Sequence, residues 1–243
     1  EASLITGEEQ MLNEDAAHVC STIEMIDYDL DVDVAVIDEV QMLDDIDRGW
    51  AWVNAIIGCP AKKVIMTGSV NALEAIKKIA TYLGEELEVV RHKRKTELKV
   101  NEKYTSLDNL EDGTALIAFS RADVLKLRHR LKKNYTVSVI YGNLSPEVRR
   151  DEARKFRENK SQILIATDAI AMGLNLPIKT ILFTTDTKFD GVSRRKITVN
   201  EIVQIAGRAG RYGHFEAGFL GATRRDILKH ISQEYKQPIK TIK

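Results

Sequence analysis

Short apolar runs alternate with amphipathic stretches along most of the chain. Runs at 18–22, 34–37, 63–66, 88–91, 115–119, 137–141, 162–166, 179–183 and 218–221 are mostly continuous rather than alternating. That pattern predicts strands buried on both faces of a parallel sheet. The stretches between them read as helices. Residues 71–83 place Leu73, Ile76, Ile79, Ala80 and Leu83 on one face and stop at Gly84, a residue suited to a helix carboxyl terminus. Residues 121–133 follow Ser120, a good N-cap, and carry Val124, Leu127 and Leu131 on one stripe. Residues 146–158 follow Ser145 and begin with proline, and residues 198–206 open with Thr198 and Glu201 at capping-box spacing.

Repeated strand–helix–strand units predict an α/β fold with parallel sheets. Four or five strands precede residue 92 and about five follow residue 114, with the basic stretch RHKRKTELKVNEK (91–103) between them. A domain boundary is expected near residue 92 to 100. A length of 243 residues suits one large domain or two modest ones.

Composition narrows the class. Apolar residues make up 44% and charged residues 30%, as in ordinary globular proteins. No run of about 18 apolar residues occurs, so no spanning helix and no membrane partner are expected. Cys20 and Cys59 cannot form a disulfide framework and are expected as buried free thiols. The five histidines are scattered and do not suggest a zinc site. A reducing compartment follows. The net charge of zero hides an asymmetry: residues 1–60 hold fifteen acids and one base, Arg48, while residues 61–243 hold 35 bases and 21 acids. Such a split suits a polyanion-facing part joined to an acidic part, although solvated helix faces would produce it too.

Three stretches carry candidate chemistry. In VAVIDEVQ (34–41) a buried strand runs into Asp38 and Glu39, at the edge where open α/β sheets bind ligands. Aspartate there can hold magnesium and glutamate can orient an attacking water; a plain polar turn is the alternative. In EIVQIAGRAGRYG (201–213), Gln204, Arg208 and Arg211 fall at i, i+4 and i+7 and are expected on one helical stripe. Gly207 and Gly210 in that stretch each cost roughly 1 kcal/mol inside a helix, so they point to a helix end and a close backbone approach. Two guanidinium forks beside them suit phosphate oxygens. In ILIATDAIAMGLNLP (163–177), a buried strand ends at Thr167 and Asp168, then reaches Gly173 and Asn175, an edge suited to phosphate or ribose.

The order DEVQ, ATDAIAMGLNLP and QIAGRAGR resembles motifs II, V and VI of superfamily-two helicases. With TGEE (6–9), STIEM (21–25), RGWAW (48–52), TGS (67–69), AFSR (118–121) and YGNLSPEVRR (141–150), the chain resembles the Suv family, the mitochondrial-degradosome type of RNA helicase, which has bacterial relatives. The resemblance implies two RecA-like lobes: the carboxyl-terminal part of a first lobe over 1–95, a second lobe over 96–223, and the start of a helical extension over 224–243. It implies ATP and Mg2+ as cofactors and single-stranded or partly duplex RNA as the track. An exoribonuclease is the protein partner to expect. Asp38 would act on magnesium, Glu39 as base, and Gln41 as nucleotide sensor. Thr67 and Ser69 would couple the nucleotide site to the interdomain cleft. Gln204, Gly173 and Asn175 would bind nucleotide, with Arg211 as arginine finger and Arg208 as a second phosphate contact. Thr6, Gly7, Thr22, Glu24, Arg121, Gly142 and Thr167 would line the RNA backbone.

One departure matters. The phosphate loop G-x-x-x-x-G-K-[ST] does not occur in the sequence. The resemblance then implies an amino-terminally truncated chain, inactive alone. Two other readings stand beside this one: a non-catalytic module that binds nucleic acid or a nuclease, and a DNA helicase, since backbone tracking does not separate RNA from DNA. Bacterial cytoplasm is the first expectation for compartment and the mitochondrial matrix the second.

Overall fold

A computed structural model describes residues 2–171, 173–211 and 213–243. The chain divides into two compact units, Glu1–Arg91 with Ile239–Lys243, and His92–Pro238.

The first unit contains β1 (Ala2–Ile5), β2 (Gln10–Met11), β3 (His18–Ser21), β4 (Val32–Ile37), α1 (Gly49–Gly58), β5 (Ala61–Met66) and α2 (Leu73–Leu83). β1 lies between an antiparallel β2 and a parallel β3, and β4 pairs separately with β5 in parallel. The early strands thus form two small sheets rather than one. Ile37, Trp52, Ala55, Ile56, Ala75 and Ile76 make the core of this unit. The expectation of strands buried on both faces fails here. Val36 is 64% exposed and Val34 51%, because the helices of the unit cover one face of the β4–β5 pair and leave the other open. Cys20 is exposed and Cys59 half-buried, against the expected burial; β3, which carries Cys20, exposes all its residues. α2 ends as its sequence predicts, with Gly84 at φ 73° and the amides of Gly84 and Glu85 on the carbonyls of Thr81 and Ala80. Of the two tryptophans, Trp52 enters the core and Trp50 stays exposed.

The second unit contains β6 (Glu97–Val100), β7 (Thr114–Ile117), α3 (Arg121–Leu131), β8 (Val137–Ile140), α4 (Pro146–Arg157), β9 (Ile163–Ala166), β10 (Thr180–Phe183), β11 (Thr187–Phe189), β12 (Arg194–Lys196), α5 (Val199–Ala206), β13 (Ala217–Ala222) and α6 (Arg225–Tyr235). Six strands form one parallel sheet in the order β6-β13-β10-β7-β9-β8. Successive residues feed opposite faces, as strand geometry demands. Ala115, Ile117, Leu164, Ala166, Ile181 and Phe183 meet α4, α5 and α6 on one side. Leu116, Ala118, Ile163, Ile165 and Leu182 meet Val124 and Leu131 of α3 on the other. Each buried leucine, isoleucine, valine or phenylalanine here contributes about 1.5–3 kcal/mol, and each alanine methyl less. The N-caps act as expected: Ser120 accepts from the Asp123 amide at 3.1 Å and Ser145 from the Val148 amide at 3.5 Å, while Thr198 and Glu201 complete a capping box.

Residues 88–91 are not a strand. The strand forms later, at β6, where Leu98 finds a ladder partner in Gly218 of β13. Residues 224–243 divide: α6 packs Ile227 and Ile231 into the second unit's core, and Ile242 is buried in the first unit's core. The hairpin β11–β12 has no counterpart in the sequence reading. Its turn is made by Asp190, whose Oδ1 accepts the amides of Val192 and Ser193, and by Gly191 at φ 100°.

Candidate functional site

In the first unit the carboxyl ends of β4 and β5 lie side by side, Ile37 opposite Met66. The next residues on each strand therefore meet. Thr67 Oγ1 donates to Asp38 Oδ1, which also accepts the Glu39 amide at 2.9 Å. Glu39 takes a left-handed backbone, φ 56° and ψ 43°. That conformation costs a residue with a side chain about 1–3 kcal/mol, and such strain gathers at functional sites. Gln41 Nε2 donates to Glu39 Oε2, and Gln41 Oε1 accepts the Ser69 amide at 3.1 Å. Gly68 fits between them because a Cβ there would stand 2.7 Å from Gln41 Oε1. All five residues named for catalysis and coupling in this unit thus belong to one connected edge. Trp52 supports it from below, its Nε1 donating to the Asp38 carbonyl at 2.9 Å.

Thr6 and Gly7 follow β1, and Thr22 follows β3, its parallel neighbour, so the three emerge at one sheet edge. Thr6 Oγ1 accepts the amides of Glu9 at 2.9 Å and Glu8 at 3.2 Å, fixing the turn. Glu24 is engaged by Arg48 at 2.7 Å, and that hydrogen bond holds its carboxyl below the usual range. The Arg48 guanidinium also sits 5.4 Å over the Trp52 ring.

In the second unit, Arg121, Gly142 and Thr167 lie just beyond the carboxyl ends of β7, β8 and β9, three neighbouring parallel strands. The Arg121 guanidinium is 5.7 Å from the Tyr141 ring. Gln204 sits on α5, but the helix stops at Ala206, so Arg208 and Arg211 do not continue its stripe. The expected i, i+4, i+7 face is corrected accordingly. Gly207 caps the helix, and Gly210 turns at φ 69° with its amide on the Ile178 carbonyl at 2.8 Å. The two arginines still converge. Arg208 and Arg211 line one recess of about 120 Å³ with Asn175, Leu174, Leu176 and Gly207. Arg208 Nη2 donates to the Ala171 carbonyl, which joins the arginine turn to the loop after β9. Gly173 in that loop is left-handed at φ 70° and exposed. Met172 and Tyr212, within the motif stretches, lie outside the described residues.

Residues 1–92 match the DEXQ-box helicase domain of Suv3, and residues 95–213 match the helicase conserved C-terminal domain. The chain carries a Suv3-type DEXQ-box helicase domain followed by a helicase C-terminal domain. It is 36% identical over 256 residues to the mitochondrial ATP-dependent RNA helicase SUV3 of Saccharomyces paradoxus, covering 99% of this chain and 35% of that protein. It is 39% identical over 255 residues to the mitochondrial ATP-dependent RNA helicase SUPV3L1 of Gallus gallus, covering 98% of this chain and 32% of that protein. The chain thus spans about a third of the length of the curated relatives it matches. Its fold is similar to that of Saccharomyces cerevisiae Dbp5 bound to RNA and ADP BeF3, with a TM-score of 0.67 at 16% identity over 99% of this chain and 69% of that one. The α/β fold is RecA-like.

The Suv3-type chain also holds polar contacts that its motifs did not announce. Lys188 of the hairpin bridges Asp168 at 2.8 Å and Glu201 at 2.9 Å, tying the loop after β9 to α5. Arg195 holds both oxygens of Glu201, at 2.9 and 3.0 Å. Burial by itself would raise the Glu201 carboxyl. The hydrogen bonds from Arg195, the Thr198 amide and Lys188 outweigh it and lower the group to about 2. An Asp-Gly pair at 190–191 was the sequence signal for this hairpin.

Proposed function

We propose that this chain is part of the motor core of an ATP-dependent RNA helicase carrying a DEVQ box. The connected edge from Glu39 through Gln41 to Ser69, with Thr67 on Asp38, carries the reading. A hydrolytic site needs its base, its nucleotide sensor and its coupling residues held in mutual register, and a passive binding surface does not.

Asp38 fits a magnesium site. It is an exposed carboxylate at a strand's carboxyl edge, and magnesium takes one or two carboxylates with waters and phosphate oxygens. Magnesium-bound ATP, when present, supplies the scissile phosphate and neutralises its charge. Glu39 orients the attacking water. Arg211 and Arg208 offer guanidinium forks to phosphate oxygens, with Arg211 as the finger. Gln204, Gly173 and Asn175 contact the nucleotide. Thr6, Gly7, Thr22, Arg121, Gly142 and Thr167 follow the RNA backbone from the two sheet edges, and Glu24 holds Arg48 beside them. The mitochondrial names of the relatives favour a mitochondrial protein over the bacterial cytoplasm placed first from sequence. Only the family resemblance supports an exoribonuclease partner and work in RNA degradation.

The test is ATP hydrolysis by the complete protein with and without single-stranded RNA, and with matched DNA as competitor. RNA-stimulated turnover that DNA fails to compete supports the reading. Equal competition moves the track to DNA. RNA binding without any turnover supports the non-catalytic module instead.

A further inference from the structure

Arg94 reaches three backbone carbonyls of the second unit. Its Nε donates to the Thr96 carbonyl at 2.7 Å, its Nη1 to Gly207 at 3.2 Å, and its Nη2 to Ala209. Gly207 and Ala209 flank Arg208 and follow the last residue of α5. The final carbonyls of a helix lack intrahelical partners, and a cation beside them is favoured by the helix dipole. A guanidinium presents its N–H groups in a rigid planar fork, so one side chain sets the directions of two carbonyls at once. An ammonium is a point charge and cannot do this. The segment so held is the one from which Arg208 and Arg211 reach their common recess.

We propose that Arg94 is a positioning residue for the arginine pair: it sets the backbone path of 207–209 so that both guanidiniums are presented together. The inference rests on the phosphate-binding reading of Arg208 and Arg211 given above. Arg94 itself touches backbone, so its effect on chemistry passes through them. Misplacing a reacting group by about 1 Å can cost 10²-fold in rate, which sets the scale.

The experiment uses the complete protein with Arg94→Lys and Arg94→Ala, and reads RNA-stimulated ATP hydrolysis with thermal melting. Both variants should melt within about 5 °C of the parent, since one lost surface clamp is a modest stability change. kcat should fall about tenfold or more in both, with KM for ATP moving less than about threefold. In a background lacking both arginines (Arg208→Ala with Arg211→Ala), Arg94→Ala should add less than about a twofold loss, because it acts only through that pair. Parental kcat in Arg94→Ala overturns the proposal, and so do fully multiplicative losses when it is added to the arginine-less background. Collapse of both single variants assigns Arg94 to the scaffold and overturns it as well. If Arg208→Ala and Arg211→Ala themselves keep parental turnover, the underlying reading fails. If they lose turnover while the Arg94 variants keep it, only the positioning role fails.

Discussion

Gly210 and Gly218 press their backbones together: a Cβ on Gly210 would lie 2.5 Å from the Gly218 nitrogen, and one on Gly218 would lie 2.7 Å from the Gly210 nitrogen. This contact seats the arginine turn against β13. Gly210 is also left-handed, at φ 69°. Gly210→Ala should therefore cost both strain and overpacking, about 2 kcal/mol or more. Gly173 has a similar φ of 70° but open space around it, so Gly173→Ala should cost about 1 kcal/mol. Urea denaturation midpoints of the two variants separate the contributions. Equal losses would show that crowding at Gly218 is not the source.

Glu39→Gln in the complete protein should abolish ATP hydrolysis while nucleotide binding persists. The amide keeps the size of the side chain and removes the basic oxygen. Steady-state turnover and nucleotide affinity are measured together, and retained turnover would sink the role given to Glu39.

Arg211→Ala should lower turnover by about 10³-fold or more if Arg211 is the finger. Arg208 additionally holds the Ala171 carbonyl, so Arg208→Ala should lose activity and loosen the loop after β9. Amide hydrogen exchange over residues 168–171 reads the second effect. An unaffected rate in Arg211→Ala moves the finger role to Arg208.

Glu201 makes stability pH-dependent. Its folded carboxyl is lowered to about 2 from an ordinary value of 4.5. The unfolded chain therefore binds this proton first as pH falls. The stabilisation is complete above about pH 4.5 and is lost as pH drops towards about 2. Glu201→Gln should be less stable than the parent at pH 7 and should lose less stability than the parent between pH 4.5 and 2. Denaturation midpoints across that window test this, and parallel curves for the two proteins would refute it.

Much of the molecule was legible from local pattern. The buried strands at 115–119, 162–166 and 179–183 and the capped helices after Ser120, Ser145 and Thr198 follow from neighbours in sequence, because hydrophobic period and cap chemistry act over a few residues. Misses arose where pairing decided. Residues 88–91 have strand composition but no ladder partner, whereas residues 97–100 have one in β13. Helix α1 also went unread, since it carries no strong end signals: it begins at Gly49 with Arg48 making no side-chain cap.

The candidate site divides in the same way. The order of DEVQ, TGS and QIAGRAGR along the chain, and the residue types able to hold phosphate, magnesium and water, were determined by the sequence alone. The tertiary structure decided that α5 ends at Ala206, that Arg208 and Arg211 reach the recess of Asn175 through a turn rather than a helical stripe, and that Arg94 grips that turn. It also decided that Thr67 meets Asp38 across 29 positions of chain. Local propensity cannot encode such meetings. They depend on which strands pair and in what register, and a parallel ladder brings the ends of distant strands to one edge only after the whole sheet has formed.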